Sequence, residues 1–132
     1  MPMPTILVVD DCQSVRLSVQ RTLTNAGYAV AVASDGDDAL RQLTEEIGLI
    51  ILDINMPGLD GYGFCERMAE KDPGYEYVPV VFLTSEKSAA LTMLGDAMGG
   101  YLTKPASEDD LLDMVKTQLQ KVQSERQTQA RS

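Results

Sequence analysis

With 132 residues and 44% hydrophobic content, the chain can bury one core but not two. Its net charge of −9 argues against direct nucleic-acid binding, which needs a basic footprint. The sequence has no histidine, which excludes a Ser-His-Asp triad, an imidazole metal ligand and a phosphohistidine on this chain; any metal must be held by oxygens, as Mg²⁺, Mn²⁺ or Ca²⁺ are.

Strand and helix signals alternate along the chain. Thr5 to Asp10 reads as the first strand. From about Gln13 to Asn25, Val15, Val19 and Leu23 share one helical face with Leu17 off it, and Gly27 closes the helix as a C′ glycine. Tyr28 to Ala33 is a second strand. Ser34 and Asp35 can cap a second helix that turns Ala39, Leu40, Leu43 and Ile47 inward. Gly48 to Asp53 is the third strand, and Asn55 to Gly61 is a Pro- and Gly-rich loop. A third helix spans roughly Tyr62 to Glu70. Val78 to Leu83 is the fourth strand, with Pro79 near its start. A helix from about Lys87 to Met98 and a short strand from Gly100 to Thr103 follow. Ser107 opens a capping box for the last helix, which runs to about Val122 with Leu112, Val115, Leu119 and Val122 inward. Leu111, Met114 and Gln118 form a second stripe, either a widened core face or a contact for a partner or a dimer. The residues divide into a domain over 1–123 and a polar tail over 124–132, expected to be frayed or disordered.

Alternating β and α with short loops implies a parallel sheet with right-handed crossovers and helices on both faces. Nothing approaches the ~20 continuous apolar residues of a membrane span, and the N-terminus carries no secretory signal, so a cytoplasmic protein without membrane insertion is expected. Cys12 and Cys65 form no CxxC pair and read as small buried hydrophobes or free thiols.

Four of the apolar runs end in reactive polar residues. Ile6-Leu7-Val8-Val9 meets Asp10 and Asp11; Leu49-Ile50-Ile51-Leu52 meets Asp53; Val80-Val81-Phe82-Leu83 meets Thr84; Tyr101-Leu102-Thr103 meets Lys104. In an open parallel sheet the strand C-termini share one edge, where ligands bind. Adjacent acids such as Asp10 and Asp11 repel unless a cation or solvent compensates, although one of them can simply cap the following helix. Asp53 can serve as a metal ligand, as a nucleophile toward phosphorus, or as a turn-forming aspartate. Lys104 can neutralise phosphoryl oxygens or stand on the surface as lysines usually do. Thr84 can donate a hydroxyl or merely end its strand.

The set Asp10-Asp11, Asp53-Ile54-Asn55-Met56-Pro57-Gly58-Leu59-Asp60-Gly61, Thr84 and Tyr101-Leu102-Thr103-Lys104-Pro105 resembles the receiver domain of two-component response regulators over residues 5 to 122. That resemblance implies a doubly wound (βα)5 flavodoxin-like sandwich with five parallel strands in the order 2-1-3-4-5. It implies that Asp53 accepts a phosphoryl group from a histidine on a sensor histidine kinase or phosphotransfer protein. It further implies that Asp11, Asp53 and the backbone carbonyl of Asn55 bind Mg²⁺ (Mn²⁺ substituting), with Asp10 binding directly or through water. Lys104 would pair with the phosphoryl group. Thr84 would move to hydrogen-bond it, and Tyr101 would turn inward as the switch aromatic; the alternative for Tyr101 is a half-buried strand tyrosine. The implied protein is a stand-alone regulator, monomeric or dimerising on phosphorylation, that signals to a downstream protein target.

Three features depart from the family pattern. The Thr84-to-Lys104 segment is shorter than usual, Ala97-Met98-Gly99-Gly100 replaces the familiar Gly-Ala-Asp-Asp, and Ala106 stands where phenylalanine is common. Glu86, if it points into the site, is expected to slow phosphotransfer or alter dephosphorylation. Two other readings compete. A haloacid-dehalogenase-type phosphatase also uses an Asp nucleophile with Mg²⁺, but it wants a second acid two residues on, where this chain has Asn55. A degenerate receiver would act only as a binding module, against which the intact Asp11, Asp53, Thr84 and Lys104 argue.

Overall fold

The structure, a computed structural model, describes residues 4–44, 46–54, 58, 61–70, 78–85, 99–104 and 106–130. In chain order these form β1 (Thr5–Val9), α1 (Gln13–Asn25), β2 (Ala29–Ala33), α2 (Gly36–Gln42), β3 (Ile47–Leu52), α3 (Gly61–Glu70), β4 (Val80–Thr84), β5 (Gly99–Thr103) and α4 (Glu108–Ala130). The helix expected over 87–98 lies outside the described residues. All five strands are parallel and lie in the order β2-β1-β3-β4-β5.

Burial on both faces explains the unbroken apolar runs. Along β1, Leu7 and Val9 point to one face, where they join Ile50, Leu52, Val80 and Phe82 beneath Ala39 of α2 and Phe64 and Met68 of α3. Ile6 and Val8 point to the other, with Leu49, Ile51 and Val81 beneath Val19 and Leu23 of α1 and Val115 of α4. The side-chain period of two along a strand therefore divides the one domain's core into two layers, one on each face of the sheet. Edge strand β2 has only Ala33 fully buried, whereas β1 and β3 are buried almost throughout.

The helix ends follow local chemistry. Gly27 takes φ +98°, the left-handed conformation that a C′ position favours. The Asp35 carboxylate accepts the Asp38 N–H at 2.7 Å and starts α2. Ser107 Oγ accepts the Asp110 N–H at 3.1 Å and starts α4.

Several expected boundaries shift. Ile47 is not the inward end of α2: that helix stops at Gln42, Leu43 turns extended at ψ 118°, and Ile47 opens β3. Ile47 and Leu43 are buried all the same, because the turn delivers both to the core. Pro79 precedes β4, where its carbonyl still accepts the Ile50 N–H at 3.1 Å. The last helix continues to Ala130 rather than ending near Val122; residues 108–130 contain neither Gly nor Pro to stop it. Its inward face is also rotated from the expected one. Among the described side chains of this helix, Leu111, Val115 and Gln118 are buried and Leu112, Met114 and Leu119 half-buried, so the second stripe belongs to the core face; the side chain of Val122 lies outside what is described.

Candidate functional site

Strand order places the site. The chain leaves β1 for β2 on one side and returns to β3 on the other, and this reversal opens a crevice beyond the strand C-termini. The ladder carries two acids into it: the Asp53 N–H donates to the Val9 carbonyl at 2.9 Å, and the Asp10 N–H donates to the Ala33 carbonyl at 3.2 Å. Asp10, Asp11 and Asp53 each bring a carboxylate oxygen within 4.8 Å of the others. They are not equivalent. Asp10 and Asp53 are buried at 2% and 5% exposure, while Asp11 is exposed.

Lys104 reaches the same crevice from the end of β5. Its Nζ lies 2.7 Å from Asp10 Oδ2 and 3.4 Å from Asp53 Oδ2. Burial opposes the ammonium charge, but the hydrogen bond to Asp10 and the charges of Asp10 and Asp53 outweigh it, so the Lys104 pKa lies above its ordinary value. This is not a surface lysine. One ammonium against three carboxylates leaves these four side chains net negative, which favours a bound cation. The all-oxygen donor set suits a hard cation such as Mg²⁺.

Asp10 is held on every side. Its Oδ1 accepts the Cys12 N–H at 2.9 Å, Oδ2 pairs with Lys104, and Arg16 Nη1 donates to its backbone carbonyl at 2.7 Å. The bond to the Cys12 N–H closes a local turn ahead of α1 and is not a helix cap, since α1 starts after Cys12 with no side-chain cap. Nothing in the apolar periodicity singles out Arg16; the only available signal is a cation six residues after a strand-end acid. Cys12 is an exposed thiol, held below the usual thiol pKa by the Ser14 hydroxyl at 3.2 Å and the Val15 N–H; Cys65 is half-buried.

Thr84 ends β4 opposite Thr103 of β5, which sets its backbone at the crevice edge; the position of its hydroxyl lies outside what is described. Asn55, Glu86 and Pro105 lie outside the described residues altogether. Tyr101 is half-buried on β5 against the α2/α3-side core, and its hydroxyl accepts from Thr103 Oγ1 at 3.5 Å. A cleft of 240 Å³ opens beside Lys104 between α1 and the start of α4, with Ser14, Ser18, Ala106 and Glu108 on its walls.

A doubly wound sheet of order 2-1-3-4-5 with acids at its switch point and a lysine two strands away defines a receiver-like α/β signalling domain. The chain belongs to the response regulator receiver domain family, whose model matches residues 6–116. It is 38% identical over 118 residues to the uncharacterized transcriptional regulatory protein YrkP of Bacillus subtilis, covering 88% of this chain and 49% of that protein. It is 33% identical over 106 residues to the transcriptional regulatory protein AfsQ1 of Streptomyces coelicolor, covering 78% of this chain and 45% of that one. The chain thus spans about half the length of these curated relatives. Among solved structures, the Vibrio cholerae chemotaxis protein CheY4 superposes with a TM-score of 0.79 at 36% identity, covering 88% of this chain and 98% of its own. This is a receiver domain of the two-component response-regulator type. Among the described residues no helix is long and apolar enough to cross a membrane.

Proposed function

We propose that the chain accepts a phosphoryl group on Asp53 from the phosphohistidine of a sensor histidine kinase or histidine phosphotransfer protein, in a Mg²⁺-dependent reaction in the cytoplasm. One observation carries this reading: Asp10, Asp11 and Asp53 converge within 4.8 Å while Lys104 contacts two of them. A carboxylate oxygen of Asp53 attacks phosphorus, an O–P bond forms, and the P–N bond to the partner's imidazole breaks with its electron pair leaving on nitrogen. Asp11, Asp53 and the Asn55 carbonyl would hold Mg²⁺, with Asp10 joining directly or through water, and Mn²⁺ would substitute. The bound cation would offset charge on the phosphoryl oxygens.

Lys104 is within reach of the acceptor carboxylate, and on phosphorylation it would exchange that contact for a phosphoryl oxygen. Water attack on the acyl phosphate would later restore Asp53 and release phosphate. The phosphoryl group adds about −1.5 to −2 charges and three acceptor oxygens. Thr84 would move to donate to one of them, Tyr101 would turn inward, and the β5/α4 side would change its packing for a protein partner, as a monomer or as a phosphorylation-dependent dimer. Residues 1–123 would form the functional unit. Transcriptional control, the role in the names of the longer relatives, would reach this chain through what it contacts or what it is joined to.

The test is incubation with Mg²⁺ and a small acyl-phosphate donor, followed by intact mass. The expected result is a labile phosphoryl adduct on the wild type and none on Asp53→Asn. No wild-type adduct, or an equal adduct on Asp53→Asn, overturns the proposal. Sustained turnover of varied phosphate esters would favour a phosphatase instead.

A further inference from the structure

We infer that Arg16 is a positioning residue for the metal site: through the Asp10 carbonyl it fixes the turn that carries Asp10 and Asp11. The inference rests on the metal-dependent reading above. The sheet ladder serves the Val9 carbonyl through the Asp53 N–H and the Asp10 N–H through the Ala33 carbonyl. The ladder ends there, and the next acceptor is the carbonyl of Asp10, in a residue only 2% exposed. A buried carbonyl left without a donor is costly. Arg16 Nη1 supplies the donor at 2.7 Å, and a charged donor makes the bond stronger than a neutral one.

The bond also closes a ring. Arg16 lies in α1, and its own N–H donates to the Cys12 carbonyl at 3.0 Å, while the Cys12 N–H donates to Asp10 Oδ1 at 2.9 Å. Asp11 lies between these clamps. Its side chain is exposed, but its backbone is bracketed on both sides, which aims its carboxylate toward Asp53. Partners behind the first ligands of a metal set their orientation and are felt in affinity.

Charge and positioning make opposite predictions here. A guanidinium beside an acidic cluster opposes cation binding by Coulomb repulsion, so its removal should tighten binding if charge is all that matters. If positioning dominates, its removal weakens binding.

The experiment is titration of the unphosphorylated full chain with Mn²⁺, counting free ion by electron paramagnetic resonance. Arg16→Ala is expected to bind about tenfold more weakly than wild type. Arg16→Lys, which keeps a donor on a long stem, is expected to recover part of that loss. Metal-free circular dichroism and thermal melts of each variant check that it is folded. Should Arg16→Ala not fold, Arg16→Met, which retains the packing of the stem, is judged by the same criterion. Unchanged or tighter Mn²⁺ binding by the folded variant overturns the inference alone. A wild-type chain that binds no Mn²⁺ overturns the metal-dependent reading and this inference with it.

Discussion

Lys104 is the residue on which the resting site balances. Its side chain is 20% exposed and lies between two buried carboxylates. Because its pKa in the folded chain is raised, its stabilising effect is complete below the ordinary lysine value of 10.5 and is lost as pH rises through the higher folded value. The Lys104→Ala variant leaves Asp10 and Asp53 without their cation and should be destabilised by about 1–3 kcal/mol near neutral pH. Urea melts of both proteins across the alkaline range should show the difference shrinking above that ordinary value. A difference that stays constant with pH would contradict the pairing.

At the scale of elements, short helices depend on their ends. α2 has only seven residues, and the Asp35 cap with Asp37 and Asp38 in its first turn supplies much of what holds it. Gln42 at its far end donates from Nε2 to the Val32 carbonyl at 2.8 Å, which ties the helix to edge strand β2. Asp35→Ala should therefore cost about 1 kcal/mol, measured by denaturant unfolding, with the slope of the transition unchanged. On the opposite face α4 approaches β5 closely, and a Cβ at Gly100 would meet Met114 Sδ. Gly100→Ala should cost no more than about 1 kcal/mol, read in the same assay, because the atoms displaced are the flexible far end of Met114.

For the molecule as a whole, the two core layers fix where the strand ends lie while the acids at their tips remain mutually repulsive. A divalent cation that binds only the folded chain should raise the melting temperature. Excess Mg²⁺ should thus stabilise the wild type, and most of that gain should vanish in Asp11→Asn, where the exposed acid of the cluster is neutralised. An equal Mg²⁺ effect on both proteins in thermal melts would place the cation elsewhere. The overall charge of −9 acts in the same sense, since screening relieves self-repulsion at any site, so the comparison is made at matched ionic strength.

The alternation of elements up to β4, the parallel sheet, the capping at Asp35 and Ser107, the C′ role of Gly27 and the list of reactive strand ends were all legible in the amino-acid sequence. Each depends on signals only a few residues long: periodicity, caps and turn formers. The tertiary structure alone decided that Asp10 is buried and Asp11 exposed, that Lys104 lies nearer Asp10 than Asp53, and that Arg16 closes the turn between them. It also assigned Ile47 to β3 and turned Leu111 and Gln118 into the core. These outcomes depend on which segments the sheet register brings together, and residues 94 apart, such as Asp10 and Lys104, meet only once the strands between them have paired.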